Sequence, residues 1–318
     1  MATYAAKLRE TGIDGTTIMM DDMGRLRTGV DMEPFNAPNS PSVFYVDGNR
    51  RTSGDGRTWQ TAKKTLAEGL ALAHAYGNAS GNRAWAQRAT VFACGDSLTE
   101  DLVILAGRTD VIGVGTDNNQ DRPVLIGNHV PVTTNCLGCR FINWKFAEVD
   151  AGAIWTLTAV SSGMKFINCH FQGRGALATH GILWTNSYSL EVAHCYFDTG
   201  ITSFTTGAIV IGAGVSDNIY IHDNVIVGAL GVVVDIAYTQ VSGQCLIDNN
   251  VIRAATLAID DNSSLALITN NSLISAAACG ATGGTIGNCL DYNALLACGN
   301  VVRGSDGCVN APSTDQEY

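Results

Sequence analysis

Cys139-Arg-Phe-Ile-Asn-Trp-Lys-Phe146 aligns with Met164-Lys-Phe-Ile-Asn-Cys-His-Phe171, and the block keeps returning down the chain. It recurs as Leu190-Glu-Val-Ala-His-Cys-Tyr-Phe197, Ile219-Tyr-Ile-His-Asp-Asn-Val-Ile226 and Cys245-Leu-Ile-Asp-Asn-Asn-Val-Ile252. Ala266-Leu-Ile-Thr-Asn-Asn-Ser-Leu273 and Leu295-Leu-Ala-Cys-Gly-Asn-Val-Val302 complete seven rows. The last residues of the rows are 25, 26, 29, 26, 21 and 29 positions apart. Self-similarity at such a period marks a stacked repeat.

The columns carry the physics. The final column is Phe146, Phe171, Phe197, Ile226, Ile252, Leu273 and Val302, always apolar. Five places earlier stand Phe141, Phe166, Val192, Ile221, Ile247, Ile268 and Ala297, and two before these another apolar column. Arg140, Lys165 and Glu191 fall between those two columns. Apolar-in, polar-out alternation at period two is a strand. Two places before the final column, Trp144, Cys169 and Cys195 give way to Asn224, Asn250, Asn271 and Asn300. Four asparagines in one column predict an amide ladder at a bend, each side chain bonded to backbone and to its neighbour about 4.8 Å away. Buried amides are tolerated only when paired in this way.

One strand block per twenty-odd residues excludes propeller blades, and no leucine-rich consensus is present. The expected fold is all-β, a right-handed parallel β-helix with an N-terminal capping α-helix and an extended N-terminal arm. Seven rungs are a minimum and predict a height of at least about 34 Å at roughly 4.8 Å per rung. Leu102–Leu105, Val111–Val114 and Val124–Ile126 are candidates for earlier rungs. No proline occurs between Thr133 and Ala311, as ladder hydrogen bonding requires.

Three segments follow. Residues 1–42 are polar and end in Pro34, Pro38 and Pro41, the composition of an attachment arm and linker. Residues 43–105 hold a strand, a capping helix and the first rungs, and residues 106–318 the remaining rungs and the C-terminal end. Over Thr58–Tyr76, Trp59, Ala62, Leu66, Leu70 and Ala73 fall at helical spacing, with Gly77 as C-cap. Such a helix is expected to cover the open end of the coil.

Val43-Phe-Tyr-Val-Asp-Gly, Gly54-Asp-Gly56, Trp59, Thr61-Ala62 and the helix lead on to Thr90-Val-Phe, Gly95 and Thr99-Glu100. This opening resembles that of pectate-lyase-like parallel β-helix proteins, in the version found among bacteriophage decoration and tailspike proteins. The resemblance implies a virion protein and a homotrimer. It is specific for fold and poor for function, because one scaffold hosts lyases, hydrolases and inert structural proteins.

The chain has 318 residues, net charge −10 and 15% charged residues. The acidic balance argues against nucleic acid and anionic membrane as partners. No run of 18 apolar residues predicts a membrane span. The first residues carry no apolar signal core, so folding in a cytoplasm and ten reduced cysteines are expected. Cys136-Leu-Gly-Cys139 is a lone CxxC, read as two small buried residues.

Catalytic chemistry is thin. Glycoside hydrolysis needs two carboxylates. Asp223 and Asp248 stand one rung apart at the turn, and Asp260-Asp261 resembles the paired aspartates of pectin hydrolases. These four are the candidate acids for an enzyme, and all four read equally as turn or loop residues. His170, His194 and His222 fall in different columns and read as surface or turn residues, with a metal-binding or titrating cluster as the alternative, and Trp144, Trp155 and Trp184 read as core or subunit contacts, with sugar stacking as the alternative. No catalytic residue, metal ligand or cofactor site is assigned. The expectation is a structural protein of a phage particle, made in the host cytoplasm. It would decorate the head and contact other virion proteins such as the major capsid protein through residues 1–42. The alternatives are a tailspike that binds or cleaves host surface polysaccharide, and a pectate-lyase-like enzyme.

Overall fold

The computed structural model describes residues 18–20, 26–28, 42–79, 88–103, 106–115, 122–132, 137–173, 178–198, 204–212, 217–229, 232–236, 245–254, 257–261, 266–275, 278–282, 289–291 and 294–296. The chain winds as a parallel β-helix with three faces. One coil runs through Arg140–Ile142, Lys145–Ala147 and Gly152–Leu157. The next runs through Lys165–Ile167, His170–Gln172 and Ala178–Trp184. Each strand pairs in parallel with its counterpart one coil on, giving sheets of ten, nine and six strands.

The registers align the apolar columns. Along the first sheet Phe44, Val91, Val111, Phe141, Phe166, Val192, Ile221, Ile247 and Ile268 follow one another, all fully buried. Leu98, Leu125, Phe146, Phe171, Phe197, Ile226, Ile252 and Leu273 do the same along the second. The third sheet adds Trp155, Ile182, Ile209, Val234 and Ile259. Stacking puts like on like: the rings of Phe171 and Phe197 lie 4.4 Å apart and 4° from parallel. Burial of each such side chain contributes roughly 1.5–3 kcal/mol. Val111 and Val124–Ile126 belong to early rungs, whereas Leu102 is buried outside any strand and Val103 is 48% exposed.

The last block is shifted from the sequence alignment. Ile268 pairs with Leu290 and Leu273 with Leu295, so Leu295, not Val302, ends the seventh row. Both registers place an apolar residue at the end and an asparagine two places before it, Asn293 or Asn300. The first apolar column favours the register ending at Val302, because seven places before Val302 stands Leu295 and seven before Leu295 stands Asn288. Asn300 lies outside the described residues.

The base is closed by two devices. The segment after Gly54 runs beside the free edge of Val43–Asp47: Tyr45 N donates to Gly56 O, and Lys63 N to Tyr45 O. Trp59 packs on Tyr45 with ring centroids 5.0 Å apart. An open sheet edge is thereby removed. The helix spans Leu66–Ala79, later at both ends than the spacing predicts. Trp59–Thr61 form a separate 3₁₀ turn capped by Thr58, and Ala62 is extended (ψ 152°), so Trp59 packs on the sheet and not on the helix. Thr65 and Glu68 form a reciprocal capping box. Glu100 accepts Leu66 N at 2.6 Å and Ala67 N at 2.8 Å, tying the helix to the next coil. Leu66, Leu70 and Ala73 are buried, and the helix continues through Gly77. Gly69 is required: a Cβ there would sit 2.5 Å from Val46 Cγ2.

Within residues 1–42, Ile18–Met20 and Leu26–Thr28 form an antiparallel pair, an element the composition does not signal.

Candidate functional site

Two corners of the coil hold the candidate chemistry. Between the first and second sheets, Asn143, Asn168, His194, Asp223, Asn249 and Asn270 occupy the left-handed region with φ from 52° to 62°. Asn, Asp and His tolerate that conformation best after glycine. The bend turns the next residue inward, giving the buried column Trp144, Cys169, Cys195, Asn224, Asn250 and Asn271. Trp144 Nε1 donates to Val111 O at 2.9 Å. Asn224 Oδ1 accepts Cys195 N at 2.8 Å, Asn250 Oδ1 accepts Asn224 N at 3.0 Å, and Asn271 Oδ1 accepts Asn250 N at 2.9 Å. Their Nδ2 groups donate to Val192, Ile221 and Ile247 carbonyls one coil back, at 2.9–3.0 Å. Asn224 and Asn250 also donate Nδ2 to the next amide oxygen, at 2.9 Å in each case.

The candidate acids of this corner are engaged in its geometry. Asp223 Oδ1 accepts from Asn249 Nδ2 and its Oδ2 lies 2.7 Å from His222 Nδ1. These contacts hold its carboxyl below the usual range. Asp248 Oδ1 accepts Thr269 Oγ1 at 2.7 Å and Asn270 Nδ2 at 2.9 Å. His222 sits between two carboxylates, with Nε2 3.4 Å from Glu191 Oε1, and Tyr220 stacks on its ring at 3.7 Å. Glu191 is pushed up by burial, but the Lys165 ammonium and His222 bring it below its ordinary value. His194 is exposed at the rim, whereas burial drives His170 down to about 4. Among the described residues no three His, Cys, Asp or Glu side chains are placed to hold a metal ion.

The third sheet brings together a pair that the sequence reading missed. Asp260 pairs in register with Asp235. Burial and the neighbouring Asp260 charge raise Asp235 to about 6. Two carboxylates across adjacent strands can share a proton. Asp261 pairs with Ile236 and Thr282 and is not part of that pair. The signal was legible only by aligning Val232-Val-Val-Asp235 with Leu257-Ala-Ile-Asp260.

The second corner, before the first sheet, was not foreseen either. Arg108, Gly138, Gly163, Ser189 and Asn218 stack there with φ 52°, 71°, 75°, 61° and 56°. Arg108 N donates to Leu137 O, Gly138 N to Ser162 O and Gly163 N to Tyr188 O, at 2.7–2.8 Å. Here the side chains face outward and line a groove of about 570 Å³ formed by Arg88, Arg108, Leu137, Gly138, Ser162, Gly163, Tyr188 and Ser189. Tyr188 is 46% and Leu137 38% exposed. Arg88 donates to Gly138 O at 3.0 Å and to Asp110, which also accepts Arg140 Nε at 2.6 Å. Burial pushes Asp110 up, but the two guanidiniums hold it below the usual carboxylate range.

Trp144, Trp155 and Trp184 are fully buried and have no face open to a ligand. The described cysteines, Cys94, Cys139, Cys169, Cys195 and Cys245, are in no disulfide, and all are buried except the half-buried Cys94. No family model, no curated protein and no solved structure matches this chain.

Proposed function

We propose that the chain is a non-catalytic structural protein of a bacteriophage particle, a head-surface decoration protein attached through residues 1–42 and assembled as a homotrimer. The observation that carries this reading is the state of the acids at the first corner. Asp223 and Asp248 accept hydrogen bonds from neighbouring turn residues, with Asn249 and His222 at the first and Thr269 and Asn270 at the second, which favours the turn reading of these acids. The resemblance of the opening segment to pectate-lyase-like virion proteins supplies the particle. The polar, proline-bearing first 42 residues suit a segment that orders on a partner. The major capsid protein is the partner this reading names.

Gold-labelled antibody against the protein, applied to intact particles, tests the placement. Label over the head surface is the expected result. Label on tail fibres, or none on particles, contradicts it. Release of reducing sugar from host capsular polysaccharide or pectate would contradict the non-catalytic reading.

A further inference from the structure

We infer that the later coils of the first corner form a self-association surface, where the outer side of the first sheet in one copy meets the outer side of the second sheet in the next copy of this chain. The three-fold ring that this builds rests on the homotrimer reading above; the choice of surface does not.

The outward columns are the first argument. On the first sheet that column runs Asp110, Arg140, Lys165 and Glu191, then Tyr220, Leu246 and Leu267. On the second it runs Lys145, His170 and Tyr196, then Val225 and Val251. Both columns lose their charges at the coil where Asn224 begins the ladder. Tyr220, Val225, Val251 and Leu267 are 36–44% exposed, and Leu246 is half-buried. Exposed apolar groups gathered on one part of a surface mark contacts between proteins. Shape is the second argument. Asp223-Asn224, Asn249-Asn250 and Asn270-Asn271 are the whole connection between the two sheets in these coils, so the corner carries no loop that holds a partner away. The apolar ribs repeat about every 4.8 Å. A second copy brings the same spacing, so its side chains fit between the rungs along the contact.

Charge is the third argument, and it selects the pairing. The chain carries −10, so two copies repel over most of their surface. At this corner the flanks differ in sign: Asp248 stands on the first sheet, and the exposed Arg253 of the same coil on the second. First sheet against first sheet would set like charges together, whereas first against second brings opposite charges together. Each copy then offers one flank to each of two neighbours, the head-to-tail contact that closes a ring. In the earlier coils Arg140 and Lys165 are already held by Asp110 and Glu191, which leaves the later coils as the apolar contact.

The test is sedimentation equilibrium of the full chain over roughly 1–100 μM, where mass action populates both free and assembled copies. Trimers that dissociate on dilution are expected. Leu246→Lys and Arg253→Glu should each raise the dissociation constant roughly ten-fold or more, with unchanged circular dichroism. Arg253→Glu keeps the test decisive if Leu246→Lys perturbs folding. The chain carrying both substitutions should recover part of the loss, because the introduced charges attract across a contact of first sheet with second and not across one of first with first. Val132→Lys, at an exposed valine outside the corner, should change nothing. A parent chain that stays monomeric overturns this inference together with the homotrimer reading. Trimers that neither substitution weakens overturn the surface alone. Absence of recovery in the doubly substituted chain overturns the pairing of the two flanks.

Discussion

The two corners that flank the first sheet solve the same backbone problem and end with opposite surfaces. Each bends the chain through a column of left-handed residues, Asn143 to Asn270 on one side and Arg108 to Asn218 on the other. At the first, the following residue swings into the core and its amide is used up by three coils of hydrogen bonds. At the second, arginine, serine and tyrosine side chains stay outside around two glycines. A β-helix corner is thus a fixed backbone device. Whether it becomes structure or surface depends on which neighbour of the bend carries the polar group.

The comparison breaks most visibly at the ladder. Asn250→Leu removes the acceptor of Asn224 N, which is left buried without its partner, and reduces Asn224 Nδ2 to its bond with Val192 O. Chemical denaturation should show a loss of roughly 2–4 kcal/mol. Unchanged stability would remove the ladder from the energetics of the coil. Gly163→Val tests the other corner's backbone. It combines φ 75° with a contact against Gly138, and should cost about 1–3 kcal/mol by the same measurement. A neutral result there would mean that the groove floor yields easily and that the glycines serve no packing purpose.

A third variant compares the paired carboxylates with the turn acids. The folded form of Asp235 holds its proton up to about pH 6, above the unfolded value of about 3.9. Its contribution to stability is therefore fully present below about pH 4 and is lost as pH rises through about 6. Asp235→Asn should raise the melting temperature by roughly 1–4 °C at pH 8 and change it little at pH 4. The opposite pH dependence would show that the Asp260 neighbour does not act as a like charge. Smallest of all, Tyr188→Ala should shift stability by no more than about 0.5 kcal/mol, because a half-exposed ring at the groove rim holds up nothing. A larger loss would make the second corner structural like the first.

Legibility in the sequence followed the same divide. The inward columns were readable because burial demands one kind of side chain in every coil, so Phe141, Phe166 and Val192 reveal their own register. The asparagine column was readable for the same reason. The final block is misaligned because the row ending at Val302 fits every apolar column, whereas the row ending at Leu295 has Asn288 in the first, and only the pairing of Leu273 with Leu295 reveals the shift. Trp59 and Ala62 matched helical spacing, but their burial is against Tyr45 and the sheet, a contact that periodicity cannot distinguish from a helix face. The groove was invisible because Arg108, Gly138, Gly163 and Ser189 share a dihedral angle and no side-chain chemistry. The Asp235–Asp260 pair depends on third-sheet register, where connections differ in length from coil to coil.

The coil carries its own core and edge cover, and we propose that residues 1–42 serve attachment. The core columns, the helix Leu66–Ala79 and the edge covered by Gly54–Lys63 all lie after that segment. The most direct test removes residues 1–42 and measures thermal unfolding by circular dichroism together with binding to particles. The expected product is a β-rich protein that melts within a few degrees of the full chain and has lost particle binding by orders of magnitude. A truncated chain that fails to fold, or one that folds and still decorates particles normally, would contradict it.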